Sequence, residues 1–317
     1  MRRRSLLRLG VLTAVAAAGC DRAESSPSGA PFAAVPSTDP ARFDADAYQP
    51  PEYDAAALRE LFRYDTGVPL DAIASQRRDD RDVVVEELAY DDGAGGAVPT
   101  VVLSPRPGRG RLPAVVFAHG EGADHKAFLA EARRVCTRGA VCLLPRVGLS
   151  LTGHPVRDSA VVTGAVVAQR RALDLLAGRD DVDPARLGFV GHGWGGMQAQ
   201  ILAGVEPRLG AVVAAAVGGR LSRWAFGQTE PADPRAYLDA LSRFDGVRYL
   251  AWGAARTVLL QGLPAGGAAE QRDAQELTER TAAPRELRDY APGVDLATAG
   301  TAVADRVAFL ARVLRLA

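Results

Sequence analysis

Residues 186–205, RLGFVGHGWGGMQAQILAGV, read as a strand, a glycine-rich turn and a helix in immediate succession. A short apolar run stops at a cluster of glycines, and a helical pattern starts with no linker between them. That arrangement constrains the fold strongly. A strand that runs straight into a helix belongs to a sheet whose strands are joined by helical crossovers, which implies parallel pairing and helices packed on the faces.

The rest of the chain repeats the alternation. DVVVEELAY (82–90) and AVPTVVLSP (97–105) form a hairpin pattern around DDGAGG. LPAVVFAHG (112–120), GAVCLLPRV (139–147), LGAVVAAAVGG (209–219) and TVLLQG (257–262) read as strands, and ELRDYAP (286–292) as a short one. Helical patterns cover 125–136, 161–178, 269–281 and 301–314, and a short helix, AAALRELF (55–62), is followed by YDTGVPLDA ahead of the first strand. Residues 220–252 read as irregular; Trp224, Phe226, Tyr237 and Trp252 there suit a cap with its own small core, or a cover that binds an apolar ligand. The expected product is an α/β domain with a mostly parallel twisted sheet, helices on both faces and a small cap insertion.

The N-terminus has a different purpose. MRRRSLLRLG is a basic segment and VLTAVAAAG a short apolar one, the pattern of an export signal over residues 1–19. The signal ends in AAGC, so Cys20 resembles the lipidated first residue of bacterial lipoproteins, and Arg3-Arg4-Ser5-Leu6-Leu7-Arg8 resembles a twin-arginine export motif. Residues 20–52 are rich in Ser, Pro, Ala and Asp and read as a flexible tether, leaving 53–317 as the folded domain with its cap at 220–252. The expected location is the extracytoplasmic side of a bacterial membrane, through a lipid anchor at Cys20.

Charge excludes some partners. Formal net charge is +0, and Lys126 is the only lysine; arginine carries the remaining positive charge, as GC-rich codon usage would give. Removing residues 1–19 takes away Arg2, Arg3, Arg4 and Arg8 and no acid, so the mature chain is mildly acidic. That argues against nucleic-acid partners and leaves a small ligand or another protein. Cys136, late in a helical pattern, and Cys142, in the next strand, are close enough to bridge, but two small buried apolar residues is the plainer expectation. No Cys and His grouping has metal-ligand spacing, and no cofactor is expected.

Six segments, in order, carry a resemblance: FRYDTGVPLD, LPAVVFAHGEG, DPARLGFVGHGWGG, VEPRLGAVV, TVLLQG and AVADRVAFL. Together they resemble the α/β-hydrolases of the dienelactone hydrolase and acetyl xylan esterase-like group. The resemblance implies an α/β-hydrolase fold and ester hydrolysis by a serine, a histidine and an acid. Serine attacks only after a base takes its proton, and the histidine needs a carboxylate to orient it. In this chain the nucleophile position of the G-x-S-x-G turn is Gly193. The acid position after TVLLQG falls on Ala265 or Gly266, and the histidine position in APGVDL falls on Val294. The histidines are His119, His125, His154 and His192, so none follows residue 192.

The resemblance also implies an oxyanion hole built from the HGEG turn, with Gly120 and Glu121, and from the backbone N–H of Trp194. A Glu121 carboxylate turned into that hole would repel an oxyanion. The expectation is a degenerate member acting as a non-catalytic binding or scaffold protein. The alternative is an esterase for small esters working through a non-family site such as His154 with Asp158 and Ser159; Asp158 or Ser159 equally suits a helix cap. His192 is expected to be a packed, hydrogen-bonded histidine.

Overall fold

The computed structural model describes residues 43–106, 110–263, 268–282, 284–291 and 293–317, without the side chains of Ala268 and Ala269. The export signal, Cys20, the tether up to residue 42 and the acid position at Ala265 and Gly266 lie outside the described residues.

Nine strands form one sheet among the described residues: β1 (Ile73–Asp80), β2 (Val83–Asp91), β3 (Ala97–Pro105), β4 (Leu112–Ala118), β5 (Val141–Pro145), β6 (Val182–His192), β7 (Leu209–Ala215), β8 (Val258–Gln261) and β9 (Arg285–Arg288). Their spatial order is β1-β2-β3-β5-β4-β6-β7-β8-β9. The strands from β5 to β9 pair in parallel, while β1, β2 and β3 form antiparallel pairs up to β5. β5 and β7 are buried at every position, which is why they read as unbroken apolar runs. The expected mostly parallel sheet is therefore present, with one strand more than the sequence announces. β1, IASQRRDD, is exposed along nearly its whole length, with Ile73 at 71%, and shows no apolar alternation.

The helices are α1 (Ala55–Glu60), α2 (Leu129–Cys136), α3 (Pro155–Ala177), α4 (Trp194–Val205), α5 (Leu221–Gly227), α6 (Pro234–Leu241), α7 (Gly246–Leu250), α8 (Ala268–Arg280) and α9 (Gly300–Leu314). Alternate side chains of β4 enter two separate cores. Val115 and Phe117 pack with α2 and α9 residues such as Val135 and Leu310, while Val116 and Ala118 pack with Val166 of α3 and Trp194 of α4. α4 is buried on nearly all sides, so it belongs to the core rather than the surface. No described helix is long and apolar enough to cross a membrane.

Two expectations change, and the plainer one for the cysteines holds. Residues 220–252 are helical, not irregular: α5, α6 and α7 fill them, and Tyr237 is fully buried at the centre. For α6 a polar cap supplies the local signal that apolar periodicity does not: Asp233 accepts from Ala236 N at its start. The segment 43–52 is packed rather than tethering. Phe43 packs at a tilt against Phe226, Tyr48 hydroxyl donates to Asp239 at 2.7 Å, and Arg248 donates to Pro51 O at 2.9 Å. Cys136 and Cys142 are both buried and unbridged.

Candidate functional site

The carboxyl ends of β4, β6, β7 and β8 come level. Ala118 pairs with Gly191, His192 with Ala215, and Ala215 with Gln261. The chain leaves β4 toward β5 on one side and enters β6 on the other, so a crevice opens where the order reverses. The residues that follow these strand ends line it: Glu121, Gly193, Ala216 and Val217. Helix α5 contributes Arg223 and Trp224, and its N-cap residue Arg220, around a cavity of ≈ 310 Å³.

The turn at Gly193 is as tight as the sequence implies. Gly193 has φ 54° and ψ −120° as it caps α4. A side chain is strained at such a positive φ. Glycines hold the neighbouring packing: a Cβ on Gly191 would fall 2.0 Å from Gly195 O, and one on Gly195 2.1 Å from Ala118 O.

Gly120, Glu121 and Trp194 do come together. Glu121 Oε2 accepts a hydrogen bond from Trp194 N at 2.9 Å, at the N-terminus of α4. The same oxygen lies 2.7 Å from where a Cβ on Gly193 would stand. A carboxylate of the chain itself thus occupies the backbone donor and the space above the turn. The N-terminal end of a helix favours that negative charge.

The histidines divide between this region and elsewhere. His119 is 5% exposed, donates from Nδ1 to Gly120 O at 2.8 Å, and its Nε2 has no partner among the described residues. His192 sits beside Gly120, with Nδ1 3.4 Å from the position of a Cβ there. Burial, with the Arg306 charge adding to it, holds the His192 imidazole below its ordinary pKa. Burial also lowers His125. Both rings therefore favour the neutral form more than a free imidazole does. Val294 is half-buried in the loop after β9, where its N–H donates to Ala291 O. Its neighbour Asp295 is committed to the same turn, accepting from Ala297 N at 2.9 Å and Thr298 Oγ1 at 2.5 Å.

His154, Asp158 and Ser159 do not form a reactive group. His154 is exposed and is itself the cap of α3, its Nδ1 accepting from Arg157 N at 3.4 Å; neither Asp158 nor Ser159 takes that role. Asp158 is fully buried and accepts from Thr152 N, Thr152 Oγ1, Gly153 N and Tyr237 hydroxyl, so it fastens the cap to the loop after β5.

A buried polar network escapes the sequence reading. Arg306 of α9 is fully buried and reaches Glu131 of α2 at 2.6 Å and Gln261 Oε1 of β8 at 2.8 Å. Gln261 donates onward to Tyr290 hydroxyl at 2.6 Å. The one available signal was an arginine on an apolar helical face, ADRVAFL. No group of three or more His, Cys, Asp or Glu suited to a metal ion occurs among the described residues.

Solved structures share this architecture. An acetyl xylan esterase from Paenibacillus sp. R4 superposes with a TM-score of 0.62 at 17% identity, covering 81% of this chain and 99% of that one. Acetyl xylan esterase 1 from Thermoanaerobacterium sp. JW/SL YS485 gives 0.64 at 14% identity, over 83% and 99%. The chain has an α/β-hydrolase fold. A protein from Klebsiella pneumoniae subsp. pneumoniae MGH 78578, provisionally named a dienelactone hydrolase, also shares the α/β-hydrolase fold. It gives 0.53 at 17% identity, over 74% of this chain and 98% of that one. No protein-family model and no curated protein matches the sequence.

Proposed function

We propose that this chain is an exported, lipid-anchored binding module on an α/β-hydrolase scaffold, working without serine-hydrolase turnover. One observation carries the reading: the Glu121 carboxylate lies on Trp194 N–H, against a Gly193 that has no attacking atom. Hydrolysis of an ester by this fold needs that donor free for the developing oxyanion. A carboxylate there adds negative charge where the reaction also builds it. Neither Val294 nor any residue after His192 supplies an imidazole. The anchor at Cys20 would hold the module at the membrane through the segment that precedes Phe43.

The test is hydrolysis of p-nitrophenyl acetate by the full chain in non-ionic detergent, beside a heat-denatured control and a serine-directed fluorophosphonate. The expected result is no rate above the control and no phosphonate labelling.

A second reading is favoured by the structural neighbours, which are named as esterases and hydrolases. In it the chain hydrolyses small esters without a serine, with Glu121 as the base that activates water in the space above Gly193. That reading requires turnover that Glu121→Gln abolishes and that the phosphonate leaves untouched. Turnover lost on changing His154 instead would favour the loop before α3, against its observed role as a helix cap.

A further inference from the structure

We infer that the crevice beside Gly193 receives an organic cation, a quaternary or protonated amine with a small apolar body. This deepens the binding-module reading and rests on it.

The electrostatic sense of the crevice is inverted relative to an ester-cleaving site. Trp194 N–H, the donor that would welcome an anion, is already taken by Glu121. Arg220 and Arg223 also line the cavity, yet each is countered. Arg220 pairs with Asp245 at 3.3 Å, with Asp273 at 3.9 Å and with Glu276. Arg223 pairs with Asp273 at 2.7 Å and Asp46 at 3.9 Å. Two guanidinium groups thus face four carboxylates, one of which, Asp273, itself lines the cavity wall.

On that wall Glu121 and Glu270 have no arginine, lysine or histidine within ion-pair distance among the described residues. Trp224, Met197 and Val217 complete it with an aromatic and an apolar surface. A carboxylate held by a backbone donor, in a cavity that an indole and a thioether also line, suits an alkylammonium head. The charge meets Glu121, and the methyl groups meet the apolar side. The volume of ≈ 310 Å³ accommodates a molecule of that size. Glu121 is held in place by the helix N-terminus, so no ordering of the counter-charge is needed on binding.

The experiment is isothermal titration calorimetry on the full chain in non-ionic detergent with three probes. These are choline, its neutral isostere 3,3-dimethylbutan-1-ol, and acetate. Choline is expected to bind saturably and about tenfold or more tighter than the alcohol, with no heat from acetate. Glu121→Gln should bring choline down to the level of the alcohol, and Trp224→Leu should weaken choline more than the alcohol. Melting curves check that both variants are folded. Equal binding of choline and the alcohol, absence of choline binding, or binding of acetate in its place overturns the inference. Ester turnover in the same samples would remove the underlying reading whichever probe binds; no turnover together with no preference for choline removes this inference alone.

Discussion

Glu121 and Gly193 divide one small volume between them: the carboxylate fills what a side chain at position 193 would need. The Oε2 atom stands 2.7 Å from the ideal Cβ position, well inside contact distance. Glycine at the turn leaves room for the Glu121 carboxylate to reach the first backbone donor of α4. The backbone of α4 supplies the hydrogen bond that holds it.

Replacing Gly193 with serine should destabilise the protein and leave it without esterase activity. The φ of 54° puts a Cβ in strained territory worth about 1–3 kcal/mol, whereas the Glu121 carboxylate, the exposed end of a flexible side chain, swings aside at little further cost. Gly193→Ser combined with Glu121→Ala should recover little of the loss, because the backbone part remains. Urea midpoints of the wild type, both single variants and the double variant measure the split. p-Nitrophenyl acetate checks that serine alone, without an imidazole beside it, restores no turnover.

The Glu131–Arg306 pair joins α2 to α9 with both groups buried. Removing one partner strands the other charge away from water. Arg306→Met is expected to cost about 3–5 kcal/mol, while Glu131→Leu with Arg306→Met should cost much less than either alone. A double-mutant cycle by urea unfolding reads the difference. Equal losses in the single and double variants would mean that packing of α9, not the charge pair, sets the stability there.

The contrast between what sequence made legible and what it hid follows from where each signal lives. Buried parallel strands such as β7 announce themselves because both faces are apolar. The Gly191–Gly196 turn announces itself because only glycine permits such close approach of strand and helix. β1 stays silent because a charged, exposed edge strand has no apolar face to repeat. The cap helices α5 to α7 are too short for periodicity to build up, and their caps are single residues. Gly193 and Val294 could be placed by motif, but the direction of the Glu121 carboxylate could not. It depends on which backbone donor a half-exposed side chain finds after folding. The packing of Tyr48 and Phe43 on the cap likewise needs the partner surface, since Pro, Ser and Ala around them read as linker.

Glu206 gives the acid limb of the stability curve a specific cause. Burial pushes its pKa up, but Arg208, which grips both carboxylate oxygens at 2.7 Å, and Arg170 at 3.1 Å outweigh that and leave it lowered. A folded-state pKa below the unfolded one contributes stability above roughly pH 4.3 and loses it as pH falls through the folded value. Glu206→Gln should lower the urea midpoint at pH 7, at a cost of about 1–3 kcal/mol, and flatten its decline between pH 5 and the folded pKa. An unchanged acid limb would assign that decline to other carboxylates.

Cys136 and Cys142 should behave as inert core residues rather than as a redox pair. Both are fully buried, and Cys142 Sγ donates to Ala132 O at 3.3 Å. Burial pushes the Cys136 thiol up to about 12 and Cys142 well above its ordinary value, so almost no thiolate exists to react. In a Cys20→Ser chain at pH 8, a thiol-reactive disulfide reagent should find no fast-reacting group when native. It should find both thiols after unfolding without reductant. The sign of the linkage is alkaline: a raised folded pKa contributes stability below the unfolded value of roughly 8.5 and loses it as pH rises above that. Cys136→Ala should therefore lessen the fall in urea midpoint between pH 8.5 and 10, whereas no free thiol after unfolding would mean that the two residues had bridged after all.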